Sequence, residues 1–70
     1  METIKQGDIV ARRSYQGDIF FKVMEVLFED RGKAVAILKG LDVRLLADAP
    51  LSDLRRVQPK ELRSYRENLL

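Results

Sequence analysis

The sequence predicts an all-β domain, a small SH3-like antiparallel barrel of about five strands followed by a short C-terminal helix or linker. The tetrapeptide Gln-Gly-Asp-Ile occurs twice, at residues 6–9 and 16–19, and each copy places turn-forming residues before an apolar run. Two strand starts this close together leave no room for a helix between them. An OB-like barrel is the alternative, but it usually has a helix between its third and fourth strands, for which this chain has no room.

The first two predicted strands differ in character. The first, residues 8–14, begins apolar and ends charged, and a turn follows it. The second, residues 18–28, is apolar on both faces. Its charged residues Lys22 and Glu25 are three apart, so a flat strand would place them on opposite faces. A bulge near residues 23–24 would let both reach water. A helix is the alternative for this segment, but its β-branched and aromatic residues favour a strand.

Short elements complete the predicted barrel. In order they are a polar turn at residues 29–33, a strand at 34–38, a tight connection at 39–42, a strand at 43–47, a 3₁₀ turn within 49–54 and a last strand at 55–58. Pro50 removes a backbone donor, and we expect Asp48 or Asp53 to cap the turn beside it. The predicted buried residues are Ile9, Phe21, Val23, Ile37, Val43 and Leu45.

The last twelve residues change character. Pro59 is suited to the first turn of a helix. The apolar residues that follow lie on one helical stripe: Leu62, Tyr65 and Leu69. Because so short a helix is marginal in isolation, the segment needs a surface to cover. We therefore divide the chain into a barrel, residues 1–58, and a helical tail or linker, residues 59–70.

The composition restricts the chemistry that is open to the chain. Its 70 residues include no Cys and no His. Disulfides, the usual zinc sites, the commonest general base and the thiol nucleophile are thereby excluded. We predict no catalytic residues, no cofactor and no metal site. The sequence shows no signal peptide and no apolar run long enough to cross a bilayer, which predicts a soluble intracellular protein without a membrane partner.

The distribution of charge favours a protein partner over nucleic acid. Residues 1–53 hold eight basic and nine acidic residues, a net charge of −1, and residues 54–70 hold five basic and two acidic residues, a net charge of +3. Nucleic-acid binding depends on clustered positive charge. Aromatic and arginine side chains dominate protein interfaces, so Arg12, Arg13 and Tyr15 are the candidate partner-binding group. The alternative for these three residues is a charged strand end with Tyr15 packed over the barrel mouth. The alternatives for the whole domain are a nucleic-acid-binding barrel and a purely structural domain. The oligomeric state is not determined.

Several sequence blocks occur in a fixed order and spacing. They are Gly-Asp-Ile-Val-Ala-Arg-Arg-Ser-Tyr at residues 7–15, Asp-Ile with Phe-Lys-Val at 18–23, Ala-Ile-Leu-Lys-Gly at 36–40, Arg-Leu-Leu-Ala-Asp-Ala-Pro at 44–50 and Ser-Asp-Leu at 52–54. Together they resemble the start of the sporulation-specific YabG peptidase family.

The resemblance implies the cytoplasm of a sporulating bacterium and a role in the processing of spore-coat proteins. In that family the proteolytic machinery lies downstream of this segment, so no catalytic residue is transferred to this chain. The resemblance therefore implies a non-catalytic N-terminal accessory domain, with residues 59–70 as a helical tail or linker to a catalytic domain that is absent from this chain. Its expected partner is a spore-coat substrate or the family's own catalytic domain.

Overall fold

The computed structural model describes residues 3–15, 19–29, 32–42 and 44–69. Within these ranges the elements are β1 (Ile9–Arg12), an N-terminal 3₁₀ turn (Arg13–Tyr15), β2 (Phe20–Phe28), β3 (Ala34–Gly40), β4 (Leu46–Pro50), a C-terminal 3₁₀ turn (Leu51–Asp53), β5 (Leu54–Arg56) and α1 (Pro59–Leu69). The five strands form one antiparallel sheet in the order β4-β3-β2-β1-β5. The predicted all-β class with a short C-terminal helix is confirmed.

The sheet is open, because its hydrogen-bonded order ends at β4 and β5. Among the described strands these two do not pair with each other, so the expected barrel is not closed. The C-terminal 3₁₀ turn connects one edge of the sheet directly to the other. The four Cα-to-Cα steps from Pro50 to Leu54 can span at most about 14 Å. The sheet must therefore curl strongly enough to bring its two edges close together.

The first Gln-Gly-Asp-Ile copy forms the turn that leads into β1. Gly7 has a φ of 93°, a conformation that favours glycine, and its N–H donates to the carbonyl of Val23 at 2.8 Å. The Asp8 carboxylate accepts a hydrogen bond from the Lys5 N–H at 3.0 Å, which closes the turn. Residues 16–18, 30 and 31, which belong to other predicted turns, lie outside the described ranges.

The predicted irregularity in the second strand is present. The pairing of β2 with β3 shifts register between Val23 and Glu25, which leaves Met24 as the extra residue of a bulge. Lys22 and Glu25 are both exposed, as the bulge prediction requires. The strand assignment is confirmed over the helical alternative.

The core lies on the concave face of the sheet. Its buried members are Val10, Phe21, Val23, Ala36, Leu38, Ala49 and Leu54, with Ile4, Val26 and Leu51 packed against them. Burial is confirmed for Phe21 and Val23 among the predicted residues, whereas Ile9 and Ile37 are only half-buried. Val43 lies outside the described residues.

The position of the fourth strand corrects the prediction. The strand runs over Leu46–Pro50 and not over 43–47, so Leu45 precedes it and is 41% exposed, against the prediction of burial. Ala47 pairs with Leu38 and Ala49 with Ala36, which makes the alanines the core-facing residues. Pro50 can end this strand because β4 is an edge, where a missing N–H costs no ladder hydrogen bond.

Helix α1 begins at Pro59, as predicted, and packs on the convex face. The Gln58 N–H donates to the Glu61 carboxylate at 3.2 Å, which is one half of a capping box. The Tyr65 ring stacks on Phe20 with ring centroids 4.7 Å apart, and its hydroxyl donates to the Asp42 carboxylate. Phe20 is thereby 6% exposed. The predicted need for a docking surface is met by this aromatic pair, and the Leu69 side chain lies outside the description.

Candidate interaction site

Asp53 joins the two 3₁₀ turns at the corner between β1 and β5. Its carboxylate accepts hydrogen bonds from the Ser14 N–H at 3.0 Å, the Ser14 hydroxyl at 2.7 Å and the Arg12 Nε at 3.0 Å. The prediction that Asp48 or Asp53 caps the turn at Pro50 is wrong, because this turn has no side-chain hydrogen bond at its N-terminal end. The Asp53 carboxylate turns instead toward residues about 40 positions earlier in the chain, a contact that no local pattern indicates.

These contacts change the acidity of the carboxyl group. The Ser14 hydroxyl, and next the Arg12 guanidinium, hold the pKa of Asp53 below its ordinary value of 3.8. A carboxylate whose pKa is lowered on folding stabilises the folded state above its unfolded pKa and loses that stabilisation as the pH falls through its folded pKa. The contribution of the Asp53 contacts to the stability of the folded state is therefore expected to decrease in acid, below about pH 4.

We expect Asp53→Asn to lower the midpoint temperature of thermal unfolding at neutral pH. As the pH falls, the midpoint of this variant should decrease less than that of the unsubstituted chain. The amide carries no charge for Arg12 and has no acid titration. Thermal unfolding measured from neutral pH to below pH 3.8 tests this. The control is Asp48→Asn, which removes an exposed carboxylate that forms no side-chain hydrogen bond or ion pair with a described residue. A pH dependence for Asp53→Asn equal to that of the unsubstituted chain would contradict the expectation.

The structure describes the side chains of two of the three residues that the sequence grouped as a partner-binding site. Arg12 ends β1, its side chain is 17% exposed, and its guanidinium holds the Asp53 corner. Arg13 is exposed at the start of the next turn. The Tyr15 backbone ends that turn, and its side chain lies outside the described part of the chain. Arg12 therefore positions the corner, and Arg13 is the arginine that is presented to solvent.

Arg13 lines a groove of about 490 Å³ that the sequence analysis missed. The groove runs between the N-terminal segment, the C-terminal 3₁₀ turn and β5. Its apolar lining consists of Ile4, Leu51 and Leu54, and its cationic lining of Arg13, Arg55 and Arg56. We call it the arginine groove. In the sequence, Arg55 and Arg56 were counted with the basic tail, and only the pairing of β5 with β1 brings them beside Arg13.

Intramolecular ion pairs reduce the positive charge of the arginine groove. The Arg55 Nη1 donates to both carboxylate oxygens of Glu61, at 3.0 and 2.8 Å. The Arg56 Nη2 lies 3.4 Å from the Asp8 carboxylate. The Gln58 N–H, and next Arg55, lower the pKa of Glu61, which keeps that carboxylate charged. Arg13 has no ion pair with a described residue, and it is therefore the cation of the groove that is available to a partner.

The described residues of the site offer apolar, cationic and hydrogen-bonding groups. The chain contains no imidazole or thiol, and the Ser14 hydroxyl donates to Asp53. No group of three or more metal-ligating side chains occurs among the described residues.

None of the helices in the described ranges is long and apolar enough to span a membrane. An apolar floor with a cationic rim is suited to the side chains of a peptide.

The chain is thus an all-β domain with a groove that is lined by both apolar and cationic side chains. Comparison with known proteins identifies the family. The family model described as YabG peptidase U57 matches residues 5–70, and the chain therefore belongs to the YabG peptidase family. This confirms the resemblance seen in the sequence blocks.

The chain is similar to the sporulation-specific protease YabG of Bacillus subtilis (strain 168). The two are 46% identical over 55 residues, which cover 79% of this chain and 19% of that protein. The chain thus spans about a fifth of the length of the curated relative that it matches. No solved structure matches it significantly.

Proposed function

We propose that the chain is a non-catalytic accessory domain of a sporulation-specific protease and that it docks protein through the arginine groove. The observation that carries the proposal is the composition of this groove, an apolar floor beside the exposed Arg13. The partner is a segment that carries apolar and acidic side chains, either in a spore-coat substrate or in the protease's own catalytic part. The proposed location is the cytoplasm of a sporulating bacterium.

The lack of suitable residues supports a non-catalytic role. Activated nucleophiles in hydrolases usually combine a hydroxyl or thiol with an adjacent base. This chain has no Cys and no His, and the Ser14 hydroxyl donates to a carboxylate that Arg12 also binds. Because the chain spans only about a fifth of its curated relative, we assign peptide-bond cleavage to the rest of such a protein.

The balance of charge supports a protein partner over nucleic acid. Two of the three groove arginines are paired with Glu61 and Asp8. Phosphate binding requires several unneutralised cations in one place, and its strength falls steeply with added salt. The apolar floor, in contrast, has a direct use in the binding of peptide side chains.

We expect Arg13→Glu to impair proteolysis of a spore-coat protein by the full-length protease. Reversal of the charge at the groove rim should raise the KM about tenfold with an unchanged kcat if the groove docks substrate, since 1.4 kcal/mol of lost binding is a tenfold change. If the groove instead contacts the protease's own catalytic part, kcat should fall. Steady-state kinetics on a purified coat protein measures both quantities.

The matched control is Lys22→Glu, the same change of charge at an exposed position on the convex face. Unchanged kinetics for Arg13→Glu, or equal effects of the two substitutions, would contradict docking at the groove. Parallel titrations with duplex DNA and single-stranded RNA test the alternative. Submicromolar, salt-tolerant binding to either nucleic acid would favour a nucleic-acid-binding domain instead.

A further inference from the structure

A pocket on the convex face opens between the bulge of β2 and the start of β4. Its volume is about 590 Å³, and the residues that line it are Met24, Lys39, Arg44, Leu45 and Leu46. Lys39 and Leu46 pair across β3 and β4, next to the core-facing pair of Leu38 and Ala47. Because successive side chains of a strand point to opposite faces, Lys39 and Leu46 point away from the core. We call this site the convex pocket.

Three large apolar side chains form the floor of the convex pocket. Met24 and Leu45 are each about 40% exposed, and Leu46 is 73% exposed. They are half of the six large apolar side chains that are exposed in the described part of the chain. Single exposed apolar residues are ordinary, whereas a cluster of them favours an interaction site.

Two local irregularities of the backbone bring the floor residues together. Met24 is the extra residue of the bulge in β2, and bulges commonly re-aim a side chain beside a functional site. In the turn between β3 and β4, the Gly40 N–H donates to the Leu45 carbonyl at 2.9 Å, which holds Leu45 against the end of β3. Methionine adapts its shape to a ligand, so the floor can close around an aliphatic side chain.

Two cations border this floor without an acidic partner. The side chains of Lys39 and Arg44 form no hydrogen bond or ion pair with a described residue. The acid of the same turn, Asp42, accepts a hydrogen bond from the Tyr65 hydroxyl of α1. The two cations are therefore available to the carboxylates of a partner.

The acids of the convex face lie at the other side of the pocket. Glu25 of β2 and Asp48 of β4 both pair with Ile37 of β3, which is two residues from Lys39 and on the same face. The potential thus changes from positive to negative along the strands. Such a pattern fixes the orientation of a charged partner, whose carboxylates are attracted to the end of the pocket at Lys39.

We propose that the convex pocket binds an acidic–apolar peptide segment of another protein. Aliphatic side chains of the segment contact the floor, and its carboxylates accept charge-assisted hydrogen bonds from Lys39 and Arg44. The convex pocket is a second docking surface, since its described lining shares no residue with that of the arginine groove. The two surfaces can therefore be occupied, and tested, independently.

The charge and shape of the convex pocket favour a peptide over an anionic membrane. Electrostatic recognition of a membrane surface uses clusters of about 4–8 basic residues. The described lining of the pocket has two. A concave site buries individual side chains, whereas an interfacial anchor presents a continuous apolar face to the lipid.

Titration of the isotope-labelled chain with the capped peptide Gly-Glu-Leu-Leu-Glu-Gly, followed by NMR, tests the proposal. The chain carries Arg13→Glu, so that docking in the arginine groove does not contribute. The expected result is saturable shifts of the amide signals of Met24, Lys39, Leu45 and Leu46. A control peptide with glutamine in place of both glutamates should bind about tenfold more weakly, because it has no charge for the two cations.

Two substitutions in the convex pocket separate the charged and the apolar contributions. Arg44→Glu should raise the Kd of the glutamate peptide about tenfold, and Leu46→Ser should raise it severalfold. Both residues are exposed, so neither change should unfold the chain. The matched control is Arg63→Glu, the same reversal of charge at an exposed position on α1, which should leave the Kd unchanged.

The proposal would be overturned by the absence of saturable shifts at the convex pocket with up to about 1 mM peptide. Equal binding of the glutamate and glutamine peptides would overturn it too, as would equal effects of Arg44→Glu and Arg63→Glu. Binding of the chain to phosphatidylserine vesicles but not to the peptide would assign the pocket to a membrane instead. In the unsubstituted chain, shifts confined to the arginine groove would support docking there and overturn only the convex pocket.

Discussion

Replacement of Phe21 by alanine is expected to lower the free energy of unfolding by about 3–5 kcal/mol, the usual cost of truncating a buried aromatic side chain. Phe21 is fully buried and is the largest of the completely buried side chains. It pairs with Val10 on one side and Gly40 on the other, at the centre of the curled sheet. A domain of this size has a net stability on the order of 3–5 kcal/mol. The variant should therefore be largely unfolded at room temperature.

Phe28→Ala is the matched control for this truncation. It removes the same atoms from the same strand, but Phe28 is 78% exposed. Its cost should lie within about 0.5 kcal/mol of zero. Urea unfolding followed by circular dichroism compares the two variants with the unsubstituted chain. Similar unfolding midpoints for the two variants would show that the core is not centred on Phe21.

Deletion of residues 59–70 is expected to leave the sheet folded but less stable by about 1.5–3 kcal/mol, the value for burying one large apolar side chain. The physical reason is that Tyr65 covers Phe20, which the deletion would expose. Phe20 lies outside the main core cluster, so its exposure does not open the concave face. The isolated segment should not be helical, because about a dozen residues do not sustain a helix in water.

Two substitutions separate the contributions of the helix contact. Tyr65→Phe keeps the stacked ring and removes only the hydroxyl that donates to Asp42, so it should cost little. Tyr65→Ala removes the ring and should approach the effect of the deletion. If the deletion instead unfolds the sheet, the helix is part of the folding unit and a domain boundary at residue 58 is wrong.

The sequence by itself determined the features that depend on near neighbours. The three-residue spacing of Lys22 and Glu25 in an apolar run required the bulge at Met24, and the Pro50 segment required a turn. Pro59 fixed the start of the helix, and the ordered sequence blocks indicated the family. These features depend on backbone preferences and periodicity, which act over a few residues.

Only the tertiary structure decided the contacts between distant segments. The pairing of β3 with β4 moved the fourth strand three residues toward Pro50 and left Leu45 exposed. The predicted group of Arg12, Arg13 and Tyr15 contained Arg13 of the groove but not Arg55 or Arg56, which β5 brings beside it from more than 40 positions away. Asp53 likewise found its partners in Arg12 and Ser14. Such contacts arise from the curl and strand order of the whole sheet, and no local pattern in the chain encodes them.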